Sequence, residues 1–155
     1  MTGVIRKATL DDAPLAGQIV HHFQQSTLWM PKLYSLDEVT KLCRTMIERD
    51  WVTVNEHQGR MVGFLARDRT EVCSLYLADD VKGQGFGRAL LAEAKLASPE
   101  LVLRTFEANM AARRFYHRQG FIEIGRGDGS KNDEGLPDVF LHWARDEQLG
   151  EDITE

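Results

Sequence analysis

Residues 71–94 read E-V-C-S-L-Y-L-A-D-D-V-K-G-Q-G-F-G-R-A-L-L-A-E-A: an apolar strand, a glycine-punctuated turn and the opening turns of a helix. Gly83, Gly85 and Gly87 alternate through the turn, between Lys82 and Arg88. Glycine lets backbone approach a ligand with no Cβ in the way. A helix start leaves N–H donors unpaired at the positive end of its dipole. The stretch therefore predicts a seat for an anionic group such as a pyrophosphate. It is neither of two better-known phosphate loops. No Ser or Thr follows a Gly-Lys, as a P-loop needs, and glycines spaced two and two do not fit G-x-G-x-x-G. An ordinary glycine-rich turn between strand and helix is the structural alternative.

Around this stretch the chain has the size and composition of one globular domain. Its 155 residues, 43% apolar and 28% charged, are enough for a real core, and we expect one domain over 1–145. An acidic tail, 146–155, carries five acids and no base. Removing those five from the 24 acids leaves 19, matching the 19 basic residues. A neutral body argues against nucleic acid as the main partner. No apolar run approaches the ~18 residues of a membrane helix. The start, M-T-G-V-I-R-K-A-T-L-D-D, lacks a signal-peptide apolar region, so a cytoplasmic location is expected. Cys43 and Cys73 form neither a metal spacing nor a disulfide framework, which suits a reducing compartment.

In chain order, Val4 to Ala8 is a strand, and Thr9-x-x-Asp12 opens a helix running to about Gln25. His21 and His22 on it point about 100° apart and do not make a metal pair. Ser26 to Tyr34 is an apolar loop, either a binding wall or a core plug. Ser35-x-x-Glu38 is a capping box for a second helix, to about Asp50. Trp51–Glu56, Met61–Arg67 and Glu71–Leu77 form a meander. The glycine loop and its helix follow, ending before Pro99, then a strand over Leu101–Phe106. Asn109 caps a helix that ends at Gly120. Phe121–Gly125 and Val139–Trp143 make a final hairpin around a polar loop, 126–137, of unusual length. The pattern predicts an α+β (mixed α/β) fold. A mostly antiparallel sheet of about seven strands is flanked by about four helices, with the Glu71 and Leu101 strands parallel across their helical crossover.

A second constellation makes the reading specific. In F-E-A-N-M-A-A-R-R-F-Y-H-R-Q-G-F, Asn109 and Tyr116 are two helical turns apart, on one face, with Ala112 between them and Gly120-Phe121 after. With the basic-x-x-G-x-G spacing from Lys82, this resembles the GNAT superfamily of N-acetyltransferases. The resemblance covers the element order of the whole chain and is specific over Leu75–Arg88 and Asn109–Phe121. Lys82 departs from the Gln or Arg usual in the family; it keeps the charge and loses the planar fork.

The resemblance implies a sheet splayed between the fourth and fifth strands, with acetyl-CoA as cosubstrate and no metal. Backbone of Leu75, Tyr76 and Leu77 would pair with the pantetheine arm as an added strand. Lys82, Gly83, Gln84, Gly85, Phe86, Gly87 and Arg88 would hold the pyrophosphate. Asn109 and Ala112 would flank the arm, and Arg113 or Arg114 would reach the 3′-phosphate. Acetyl transfer needs a neutral amine, a stabilised oxyanion and a leaving thiolate. A lysine-like amine is only about one part in a thousand neutral at pH 7, so a base or desolvation must supply it. Tyr116, protonated at neutral pH, would donate to the departing sulfur. Glu71 is the first candidate base, with Glu107 and His117 as others. Cys73, on a strand, reads as a small core residue rather than an acyl carrier.

For the acceptor, Trp29, Met30 and Tyr34 offer an apolar wall. Asp128, Asp133, Glu134 and Asp138 offer charge for a cationic amine, small-molecule or protein-borne. The expected activity is N-acetyl transfer from acetyl-CoA to a primary amine by direct attack in a ternary complex. The alternative is a non-catalytic acyl-CoA sensor or scaffold, which binds without transfer. A nucleotide-binding module is disfavoured by the glycine spacing. No residue marks a membrane or nucleic-acid partner, and a homodimer is left open.

Overall fold

A computed structural model describes residues 3–146. The acidic tail from residue 147 on lies outside the described residues. The chain runs β1 (Val4–Lys7), α1 (Ala13–Ser26), α2 (Leu36–Glu48), β2 (Val52–His57), β3 (Arg60–Asp68), β4 (Glu71–Leu77), α3 (Phe86–Ala97), β5 (Glu100–Phe106), α4 (Met110–Arg118), β6 (Ile122–Gly127) and β7 (Asp138–Ala144). The strand order is β1-β2-β3-β4-β5-β7-β6, the mixed α+β sheet that the pattern predicted. Contacts group the chain into two units. Residues up to Asp68 with Val72–Glu93 form the first; Arg69–Glu71 with the residues from Ala94 on form the second.

In the first unit β1 and β2, then β2 and β3, pair antiparallel, with a bulge in β2 between Asn55 and Glu56. β3 is buried without alternation from Met61 to Ala66, as expected of a strand covered on both faces. Ile19 and Val20 of α1 join Val39, Cys43 and Met46 of α2 on Val54 and Phe64 of the sheet. The two helices pack closely at Gly17, where a Cβ would come within 2.9 Å of the Thr40 Cα. Ser35 and Glu38 close their capping box reciprocally at 3.1 and 3.0 Å. Thr9 and Asp12 form the expected box, but on a 3-10 turn rather than on α1. Asp12 accepts from the Thr9 amide at 2.8 Å, the turn it closes is Leu10–Asp12, and α1 begins only at Ala13. The Arg6 guanidinium forks onto both Asp12 oxygens at 2.9 Å and holds this buried carboxyl below the usual range.

In the second unit β7 pairs antiparallel with both β5 and β6, so the later arm of the final hairpin is the inner strand. Glu71, the first residue of β4, pairs parallel with Val102. Tyr116 of α4 packs edge-on against Phe121, with ring centroids 5.4 Å apart. A register shift between Glu123 and Gly125 carries β6 on to Gly127, leaving a connection of residues 128–137. Within it the Asn132 amide donates to the Leu136 carbonyl at 2.8 Å and accepts from the Leu136 N–H at 3.2 Å. Among the described residues no helix is long and apolar enough to cross a membrane.

Candidate functional site

The glycine loop is built on the first unit. Gly83 and Gly85 take φ of 78° and 92°, conformations that side chains resist, and α3 opens with the Ala89 amide on the Gly85 carbonyl at 3.1 Å. A Cβ on Gly83 would meet nothing within 4 Å, so the loop faces open space there. Behind it the anchoring is firm. Phe86 is buried with Val62 and Val81, and the His57 ring lies 5.0 Å from it. The Phe86 side chain is thus core, and only its backbone is offered to a ligand. Fully buried Asn55 donates to the Phe86 carbonyl at 3.2 Å and pins the first residue of α3. The sequence reading missed Asn55, although an amide inside V-T-V-N was a visible signal. Gly87 is buried and Arg88 exposed, without an ion pair among the described residues; Gln84 donates to the Asp80 carbonyl at 3.3 Å.

Lys82 is not simply free for a phosphate. Its ammonium sits 2.7 Å from Asp79 and 6.0 Å from the Phe23 ring centroid. The other Asp79 oxygen lies 2.6 Å from His22 Nε2. Hydrogen bonds from Lys82, then His22, hold the Asp79 carboxyl below the usual range. Among the described residues no group of three or more His, Cys, Asp or Glu is placed to hold a metal.

Along β4, Leu75, Tyr76 and Leu77 are half-buried, and Tyr76 stacks edge-on against Phe23 at 5.6 Å. Glu71 and Cys73 are exposed, on the side of β4 opposite buried Val72. Cys73 is therefore not the core residue expected of a strand cysteine; Cys43 is, and burial pushes its thiol up to about 11. The apolar loop is divided: Met30 is buried, Tyr34 packs on the α1–α2 core, Trp29 leans edge-on to Phe23 at 6.2 Å, and Leu28 is fully exposed.

In the second unit Asn109 caps α4, accepting from the Ala112 amide at 3.1 Å. Tyr116, two turns on, is buried, its ring 5.2 Å from Phe115. Arg113 is half-buried, donating to the Glu107 carbonyl at 3.1 Å and lying 3.8 Å from Glu123. Arg114 and His117 are exposed. Glu107 is held by Arg126 at 3.0 Å. The four acids near the final hairpin sit in four environments. Asp128 accepts from the Ser130 amide at 3.0 Å, which lowers its pKa; Asp133 is exposed; Glu134 is half-buried; Asp138 is buried against Gly127, whose missing side chain makes room for it.

A family model described as an acetyltransferase (GNAT) domain matches residues 33–140. The peptidyl-lysine N-acetyltransferase YjaB of Escherichia coli is 36% identical over 94 residues, 61% of this chain and 62% of that protein. The match thus spans less than two thirds of that relative. The solution structure of apo YjaB superposes with a TM-score of 0.75 at 24% identity, covering 92% of this chain and 97% of YjaB. The ribosomal-protein-alanine N-acetyltransferase of Brucella melitensis gives 0.72 at 26%, covering 91% and 99%. YncA of Salmonella typhimurium, solved with its cofactor acetyl-CoA, gives 0.70 at 22%, covering 92% and 94%.

Proposed function

The chain belongs to the GNAT acetyltransferase family, and from that premise we propose that it moves an acetyl group from acetyl-CoA to the side-chain amine of a protein lysine. The observation that carries the proposal is the loop Lys82–Arg88. Two positive-φ glycines lead into a helix start pinned from behind by Phe86 and Asn55. The opening amides of α3 are the donors that such a turn offers to a pyrophosphate. Arg88, exposed and without an ion pair among the described residues, adds a cation, and Lys82 adds a second that it shares with Asp79. The backbone of Leu75–Leu77 would hold the pantetheine amides; in the second unit, Asn109 and Ala112 would contact the arm and Arg113 the 3′-phosphate.

Bound acetyl-CoA supplies the thioester. The residues of the chain supply proton transfer and orientation. Glu71, exposed at the start of β4, would take the proton that a lysine ammonium must lose before attack. Tyr116 would give its phenolic proton to the sulfur as the carbon–sulfur bond breaks and the carbon–nitrogen bond forms, and the phenolate would be restored by the proton that the acylated nitrogen sheds. A free phenol, with a pKa near 10, is protonated at pH 7. No enzyme nucleophile is needed, which suits direct attack. Lysine as acceptor is supported by the name of YjaB. Trp29, Met30 and Tyr34 would line its approach, with Asp133 and Asp138 as the charges to test.

The test is a calorimetric titration with acetyl-CoA, ATP and NAD, followed by thiol release with three acceptors: a lysine peptide, a peptide with a free N-terminal alanine, and a small polyamine. Micromolar binding of acetyl-CoA alone with turnover on the lysine peptide is expected. Binding without turnover on any amine would replace the enzyme with an acyl-CoA sensor, and no binding would remove both.

A further inference from the structure

The outer face of α4 carries chemistry that acetyl transfer leaves unused. A groove of about 460 Å³ runs between that face and the start of β6. It is lined by apolar Met110, Phe121 and Leu141 and by the guanidinium groups of Arg113, Arg114 and Arg118, with His117 and Glu123. At about 100° per residue, Arg114, His117 and Arg118 lie about 140° around the helix from Asn109, Ala112 and Tyr116. These three therefore lie off the face assigned to the cofactor, while Arg113, which also lines the groove, stands at the border of the two. Arg114 and Arg118, one turn apart, have no ion pair among the described residues, whereas Arg113 is tied to Glu107 and Glu123.

We propose that this groove docks an acidic, partly apolar peptide segment of a partner protein. Charge complementarity argues for it. The body of the chain is neutral, so cations gathered around apolar side chains are a local feature rather than a general basicity. The nine residues of α4 span about 13 Å, the length of about four extended peptide residues. Carboxylates one or two residues apart would reach Arg114 and Arg118, and the apolar side chains between them would pack on exposed Met110, above the buried Phe121 and Leu141. A nucleic acid is the poorer occupant, because Glu123 walls the groove with negative charge and a polyphosphate needs a longer basic track. The inference does not depend on the acetyl-transfer reading.

The test uses the full chain and a fluorescein-labelled peptide E-L-D-E-L-E, with its Gln/Asn counterpart as control, read by anisotropy and by amide shifts along α4. The acidic peptide is expected to bind, and the neutral one at least about tenfold more weakly. Arg114→Glu with Arg118→Glu is expected to weaken binding about tenfold, while Lys41→Glu and Lys131→Glu, away from the groove, leave it unchanged. Arg114→Gln with Arg118→Gln, which removes charge without reversing it, repeats the test should the double reversal fail to fold. Binding indifferent to these variants overturns the proposal. So does equal competition by millimolar inorganic phosphate, which would make the groove a simple anion site. A rise in peptide affinity when Glu147, Glu151, Asp152 and Glu155 are neutralised would also overturn it, making the occupant the chain's own acidic end.

Discussion

The starts of α3 and α4 solve one problem in opposite ways. Each helix begins with amides that the helix itself cannot satisfy. At α4 the chain supplies the acceptor, since the Asn109 side chain takes the Ala112 amide. At α3 the residue ahead of the helix, Gly85, has no side chain with which to accept one. The sequence invests in two positive-φ glycines instead, and in a buried anchor of Phe86 and Asn55. A helix start finished by its own side chain is a structural device. One held rigid from behind and left open in front is suited to a ligand. The α4 end nevertheless carries the one aromatic hydroxyl that the proposed chemistry needs, on Tyr116.

The largest effect that would sharpen this contrast is on that hydroxyl. Tyr116→Phe keeps the ring against Phe115 and Phe121 and removes only the proton donor. We expect kcat for thiol release to fall at least about 100-fold, with acetyl-CoA affinity by calorimetry unchanged. An unchanged kcat would make Tyr116 a core aromatic and nothing more. Next is the open start. Gly85→Ala forces a Cβ into φ near 92°, and we expect about tenfold weaker acetyl-CoA binding, the equivalent of about 1.4 kcal/mol of backbone strain. Gly83→Ala meets no atom within 4 Å but is strained in the same way at φ 78°, so affinity lost there beyond the loss at Gly85→Ala reports a clash with bound cofactor. Third is the closed start. Asn109→Ala is expected to cost about 1 kcal/mol of stability by urea denaturation, as cap removals do. If affinity falls as much at Asn109 as at Gly85, the cap also serves the ligand and the contrast between the two starts breaks.

Much of this contrast was legible beforehand. Glycines at alternate positions after an apolar strand, and Asn109 two turns before Tyr116, are local patterns whose meaning lies within a few residues. The capping box at Ser35 and the meander were readable for the same reason. What was not legible depends mostly on distant partners. Arg6 lies only six residues before Asp12, but the sequence does not say that it will claim that carboxyl or that α1 will start late, and nothing in the final hairpin says that β7 becomes the inner strand. Cys73 was misread because one strand residue in two faces outward, and the phase of β4 is fixed by Val72 and Tyr76 packing on residues far along the chain. Asn55 shows the limit from the other side: the odd residue was visible, but its partner, the Phe86 carbonyl, lies 31 positions away.

The smallest expected effect concerns Asp79, which partly closes the open start by holding Lys82 at 2.7 Å. Asp79→Asn should release that ammonium toward a phosphate. The pair is exposed, and such pairs are worth at most about 1 kcal/mol, so acetyl-CoA affinity should rise about twofold to threefold at low salt and the gain should vanish in high salt. The pH sign follows from the lowered pKa of Asp79. Its stabilising contribution is complete above the ordinary carboxylate value near 3.9 and is lost only as pH falls through the lowered folded value. Between about pH 6 and 8 the carboxylate is fully charged, so the gain in the variant should be flat with pH. No gain at any salt would mean that the seat works through the α3 amides and Arg88, with Lys82 serving only to tie the loop to Asp79.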